Sequence, residues 1–322
     1  MNLDKEKVLS KRYIIFAPSY LETSGGIVVL HKLCSLLNEL GYESYLYPSF
    51  NTFELNDVNP IYTFLRYIKS KLVASFKRYK TNSSFNTPIF KGDISSISDN
   101  YIVIYPEMTF GNPLKAKNIV RWFLHQPGYH TGNIYYGKNE LYFKFNGAID
   151  DFTYQSSTTS EKSLKIIHYP LEHYNMENTS SFRKGTAYCL RKGKHKKIQH
   201  DLKDSILIDG KTNSEGKSHK EVSEILKNAD TFVSYDTYTA YSIFAVLCGC
   251  KSIVIPDEGV TKEEWYPEEN DRNGIAYGFS DKEIKHATDT ANLVKSHIIE
   301  EEKKNINNIE NFIVEVDKYF GK

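Results

Sequence analysis

Two side chains in the first half of the chain stand where proton transfer could be done. Glu107, in YPEMTFGNPL (105–114), and His125, in IVRWFLHQPG (119–128), each come at or just past the end of a short apolar run. A carboxylate or imidazole held there can take the proton of an attacking hydroxyl. A turn cap by Glu107 and a backbone hydrogen bond by His125 explain the same residues. In the second half, the polar loop Tyr235 to Thr239 leads into a helix-like stretch, Tyr241 to Cys248, that Gly249 stops. Hydroxyls and free N–H groups at a helix start can seat a diphosphate. Plain capping by Thr237 or Thr239 accounts for the pattern as well. Arg191, Lys192 and Lys194 follow another apolar run, Ala187 to Leu190, and read either as anion counter-charges or as a solvated basic loop.

The elements that must position these residues alternate between strand and helix. Tyr13 to Ala17 is a continuous apolar run. Gly25-Gly26 then reads as a break, and Ile27, Leu30, Leu33, Leu36, Leu37 and Leu40 recur at helical spacing up to Gly41. Strands are expected from Tyr45 to Tyr47, Tyr101 to Tyr105 and Ile119 to Leu124. The alternation restarts at Ala187 to Leu190 and continues through Ser205 to Ile208, a helix from His219 to Lys227, and strands at Thr231 to Ser234 and Ser252 to Ile255. The polar stretch from about 155 to 185 reads as the linker. Ile306, Ile309, Phe312, Ile313, Val316 and Phe320 recur at helical intervals and predict a C-terminal amphipathic helix. The fold class that follows is α/β: two Rossmann-like domains, residues 1–170 and 171–322, facing a cleft, with ligands expected at the carboxyl ends of the strands.

Composition narrows the classes. With 322 residues the chain can bury a large core without disulfides, and 41 basic against 40 acidic residues leave a formal net charge of +1. That balance gives no whole-molecule attraction to nucleic acid, so anion recognition must be local. Tyr and Phe, 24 and 18 residues, supply flat faces suited to sugar rings or to cores. The four cysteines, Cys34, Cys189, Cys248 and Cys250, read as buried reduced thiols. No apolar run has the length of a signal-peptide core or a membrane span, which predicts a cytoplasmic protein.

Two motif look-alikes carry little. Gly210 to Ser218 resembles a phosphate-binding P-loop but has five residues between its glycines where that loop has four; Ser218 with Glu221 reads more simply as a capping box. Asp150-Asp151 is adjacent rather than spaced as a D-x-D metal site, and no G-x-G-x-x-G occurs.

The layout from Ala229 to Pro256 resembles the donor-binding segment of GT-B glycosyltransferases. Retaining members often carry a pattern similar to E-G-F-G-x-x-x-x-E-A-x-A-x-G. Anchored on Gly249, this chain has Asp236 at the first acidic position and Phe244 at the second, where the family's ribose-holding acid is expected. Gly25-Gly26 resembles the family's N-terminal glycine loop, and Arg191 and Lys194 its phosphate-neutralising pair. YPEMTFGNPL, IVRWFLHQPG and NGIAYG (273–278) resemble bacterial surface-polysaccharide (lipopolysaccharide and capsule) glycosyltransferases. The resemblance implies a hexosyltransferase-like enzyme that moves a sugar from a nucleotide-diphosphate-sugar to a glycan or lipid-linked glycan. Asp236, Thr237, Thr239, Tyr241 and Ser242 would then hold the donor, with Gly25 and Gly26, and Glu107 or His125 would meet the acceptor hydroxyl. It also implies metal independence and no further cofactor. A non-catalytic subunit of a glycan assembly complex and a sugar-nucleotide epimerase of the same fold are the alternatives.

One segment suggests a second partner. From Val58 to Gly92 there is no acidic residue, while Arg66, Lys69, Lys71, Lys77, Arg78, Lys80 and Lys91 are basic; Phe64, Leu65, Ile68, Leu72, Val73 and Phe76 lie among them at helical intervals. Residues 60–80 are thus expected to touch an anionic membrane at its inner face, or else to form a core-packing helix with a solvated basic side.

Overall fold

The computed structural model describes residues 11–50, 61, 64, 65, 68, 69, 72, 78–97, 99–147, 149–209 and 216–321. The chain divides into two units, Met1–His168 with Lys303–Lys322, and Tyr169–Glu302.

The first unit is built on apolar strands covered by helices. β1 (Arg12–Ala17) is buried at every position after Arg12, as befits a central parallel strand. α1 (Gly25–Glu39) follows, burying Val28, Val29, Leu30, Leu33, Leu36 and Leu37 on one side. Then come β2 (Glu43–Pro48), β3 (Tyr101–Pro106), β4 (Asn118–Phe123), β5 (Leu141–Lys144) and β6 (Thr158–Thr159). They form one parallel sheet in the order β2-β1-β3-β4-β5-β6.

The second unit repeats the plan. β7 (Thr186–Cys189), β8 (Ser205–Leu207), α2 (His219–Asn228), β9 (Thr231–Ser234), α3 (Tyr241–Leu247), β10 (Lys251–Val254), α4 (Lys262–Trp265), β11 (Ile275–Tyr277) and α5 (Asp281–Thr290) give a parallel sheet ordered β11-β10-β9-β7-β8. α6 (Val294–Phe320) ends the chain's regular structure.

Over its first five strands each sheet reads second, first, third, fourth, fifth. In that order the chain reverses its winding between the first and third strands, and the loops after those two strands diverge to leave a crevice. The topology therefore selects the loops after β1 and β3 in one unit and after β7 and β9 in the other.

Four expectations change. The terminal helix, expected in the second domain, gives its residues from Lys303 onward to the first unit, because Ile309, Phe312, Ile313 and Val316 are buried there with Tyr13 and Leu33. The polar stretch from 155 onward is not a free linker: Leu164 and Ile166 are fully buried in that same core, and the Trp122 indole donates to the Leu164 carbonyl at 3.0 Å. The units divide at His168, inside that stretch and two residues before the boundary expected at 170. Gly25 and Gly26 are the first two residues of α1 after the N-cap Ser24, so the loop lies before them. The Gly210 end of the P-loop look-alike, residues 210–215, lies outside the described residues, while Ser218 and Glu221 form the expected capping box.

Candidate functional site

In the first unit the loop after β3 carries Glu107. Its side chain is 5% exposed, and one carboxylate oxygen accepts the Leu124 N–H at 3.1 Å, across the ends of β3 and β4. Burial pushes this carboxyl up to about 7, and the hydrogen bond from Leu124 and the charge of Arg121 only partly offset the rise. A carboxylate that titrates near neutrality accepts a proton at pH 7 and can give it back, which suits a general base.

A buried ion pair fixes that loop. Arg121 and Glu140 are both fully buried; the Arg121 Nε and Nη2 donate to the two Glu140 oxygens at 2.6 and 2.8 Å. Its remaining donors reach back to the carbonyls of Thr109 at 2.5 Å and Gly111 at 3.0 Å, in the loop that begins at Glu107. The guanidinium also lies over the Tyr136 ring, 4.1 Å from its centre, and the Tyr136 hydroxyl donates to the Glu107 carbonyl at 2.7 Å. The sequence analysis does not single out this network. An arginine inside the run IVRWFL was the available signal, since a buried strand can hold such a charge only with a partner.

His125 follows Leu124 in the chain. Its Nδ1 accepts the Gln126 N–H at 2.8 Å, which assigns the proton of the neutral ring to Nε2. The ring stacks on Tyr129 at 4.0 Å and meets His130 edge-on at 4.9 Å. Tyr129 is 63% exposed, so its ring opens to solvent, five residues beyond the N–H that holds Glu107 and stacked on the residue next to that N–H. The glycines at the other loop are less committed. A Cβ on Gly25 would meet nothing within 4 Å, and one on Gly26 only the Leu124 side chain at 3.5 Å, so packing does not demand glycine at either.

In the second unit the loops after β7 and β9 interlock. A Cβ on Gly193 would lie 1.9 Å from the Tyr235 carbonyl oxygen, which explains the glycine within the basic run. Gly193→Ala is expected to cost about 2 kcal/mol by forcing the loops apart, read as a lower thermal midpoint than wild type. Arg191 takes a left-handed backbone, φ 37°, held by its N–H to the Asp209 carboxylate at 2.7 Å. Its side chain stays partly exposed, 3.8 Å from the Asp236 carboxylate and over the Tyr241 ring at 5.4 Å. Lys194 is exposed.

The residue that joins the loops is one the sequence analysis passed over in the basic run. Lys196 Nζ donates to the Thr237 hydroxyl at 3.1 Å and to the Ile255 carbonyl at 2.8 Å, and pairs with Asp257 at 2.6 Å. Burial acts to raise the Asp257 carboxyl, but hydrogen bonds from Lys196 and Thr237 and the Lys196 charge outweigh it and hold the group below its usual range.

The remaining donor-side candidates come together with mixed freedom. Asp236, Thr237, Thr239, Tyr241 and Ser242 are all buried. The Thr237 hydroxyl is spent on Asp257 at 2.6 Å, and the Thr239 oxygen accepts the Tyr241 N–H at 3.3 Å. The Ser242 hydroxyl has no partner among the described residues. α3 is seven residues long and no side chain caps it, so Thr237 and Thr239 are not its N-caps. Phe244, at the position of the second acid, is core: it stacks on Tyr174 with ring centres 4.0 Å apart and an interplanar angle of 8°. Tyr238, 58% exposed in the same loop, offers a ring that the sequence analysis did not single out.

No family model matches the chain, and no curated protein matches it. Among solved structures, the spinosyn forosaminyltransferase SpnP aligns over 95% of this chain and 100% of its own, with 11% identity and a TM-score of 0.38. A match at that level transfers no residue role from one chain to the other.

Proposed function

We propose that the chain is a glycosyltransferase that moves a sugar from a nucleotide-diphosphate-sugar to a glycan or lipid-linked glycan during surface polysaccharide synthesis, on the cytoplasmic side and without a metal. The observation that carries this reading is the match between topology and chemistry: the crevice loops of one unit hold a buried carboxyl titrating near 7, and those of the other hold Arg191 over the Tyr241 ring and Lys196 on the buried Thr237 hydroxyl. The motif resemblance of both regions supports it.

In this reading Glu107 takes the proton of the acceptor hydroxyl as its oxygen bonds to the anomeric carbon. The bond from that carbon to the diphosphate breaks, and Arg191 and Lys194 offset the charge of the departing nucleotide diphosphate. The stacked rings of His125 and Tyr129, which follow the Leu124 N–H that Glu107 accepts, offer a flat face for an acceptor ring.

The experiment is a thermal-shift panel of the protein against UDP-, GDP-, CMP- and dTDP-sugars, with and without EDTA. Binding to the folded state at about a hundredfold excess over Kd adds about 2.7 kcal/mol, so one nucleotide class should raise the midpoint and keep doing so in EDTA. A flat panel would count against the donor site. Arg191→Ala should weaken donor binding about tenfold, the size of one charge-assisted hydrogen bond, with the unliganded midpoint unchanged. Unchanged affinity would remove Arg191 from the site.

The packing of Phe244 favours a second reading, a non-catalytic nucleotide-sugar-binding subunit, since that position serves the core. Slow hydrolysis of the donor separates the two: an enzyme releases free sugar to water, and a binding subunit does not.

A further inference from the structure

Between residues 61 and 72 the described positions, Ile61, Phe64, Leu65, Ile68, Lys69 and Leu72, are all helical. At 100° per residue the five apolar members fall within one third of the helix circumference. In a helix that packs on its own core this stripe is covered. Here it is open: Ile61 is 73% exposed, Phe64 53%, Leu65 58%, Ile68 38% and Leu72 53%. The alternative of a core-packing helix with a solvated basic side therefore fails for the described residues. Lys69 flanks the stripe and is exposed, as are Arg78, Lys80 and Lys91. Arg66, Lys71, Lys77, Val73 and Phe76 lie outside the described residues, but the sequence places seven bases and no acid from 58 to 92, in a chain whose charges nearly cancel as a whole.

We infer that this face is a membrane-docking surface that lays its apolar stripe into the headgroup region of an anionic leaflet, parallel to the bilayer plane. The charge selects the occupant. A second copy of the chain, packed face to face about a two-fold axis, would bring the same basic segment against itself. An anionic leaflet supplies the opposite sign, and each base near it contributes about 1 kcal/mol. Among the described residues no helix is long and apolar enough to cross a membrane, so this contact is peripheral. The inference concerns the surface and not the chemistry, and would hold for a chain that transfers no sugar.

The test is flotation of the full chain with neutral phosphatidylcholine vesicles and with vesicles that are about one quarter phosphatidylglycerol. Wild type should float with the anionic vesicles and fall off as salt rises. Phe64→Glu with Ile68→Glu should cut the bound fraction about tenfold, and Lys69→Glu with Arg78→Glu should weaken binding to the anionic vesicles alone. All four positions are exposed, so both variants should keep the wild-type thermal midpoint and nucleotide-sugar binding. Absence of wild-type flotation overturns the inference, as does equal flotation of wild type and the Phe64/Ile68 variant. A wild-type dimer that the Phe64/Ile68 variant turns into a monomer overturns it in favour of a second copy.

Discussion

If the proposed reading holds, Glu107→Gln should lower sugar transfer by roughly a thousandfold while the protein stays folded, because the amide keeps the shape and an acceptor for the Leu124 N–H but cannot take a proton. Wild-type turnover should rise with pH through about 7, as the carboxyl ionises, and the residual rate of the variant should lose that inflection. Stability moves the other way. The folded-state value of about 7 lies above the ordinary 4.5, so the folded protein binds the extra proton between them. The stability from this group is full below 4.5 and is lost as pH rises through 7, by about 3 kcal/mol. Glu107→Gln lacks that loss, and above pH 7 it should melt higher than wild type. Thermal midpoints and turnover across pH 5 to 9, in steps of about one unit, check both halves. Wild-type turnover in the variant would leave Glu107 as no more than a turn residue.

The second large effect is structural. Arg121→Met removes the only described partner that neutralises Glu140 at full burial, and breaking such a pair costs about 3 to 5 kcal/mol. Because the chain holds two units, denaturation should be followed by more than one probe, and the loss should fall on the transition of the first unit. Arg121→Met with Glu140→Leu should regain most of the stability, since no uncompensated charge remains. It should not regain turnover, because the Thr109 and Gly111 carbonyls lose the guanidinium that holds the Glu107 loop. A double variant as unstable as the single one would contradict this account.

What could be read from the residues alone follows the range of the interactions. β1 and β3 lie on continuous apolar runs and β4, β7, β9 and β10 on shorter or interrupted ones, and their loops could be located without a structure. β5, β6 and β11 are two to four residues long and carry no periodic signal of their own; they exist because a longer neighbour offers its edge. Glu107 was visible by its place after a strand, but the network that sets it joins residues 10 to 29 positions apart in sequence. Lys194 and Lys196 look alike in a basic run. Only the one-turn helix Arg191–Gly193 decides which of them reaches the Thr237 hydroxyl.

The helix α6 sets the order in which the molecule can be completed during synthesis. Ile309, Phe312, Ile313 and Val316 close a core whose other walls are Tyr13, Ile15, Leu33 and Leu37. A nascent chain that has released residues 1–168 still lacks that wall, and at about 5 to 20 residues per second it waits many seconds for it. The second unit, contiguous from Tyr169 to Glu302, has all its parts before then. The half that is translated first is therefore finished last, and until then its unsealed apolar wall is the natural place for a chaperone to bind.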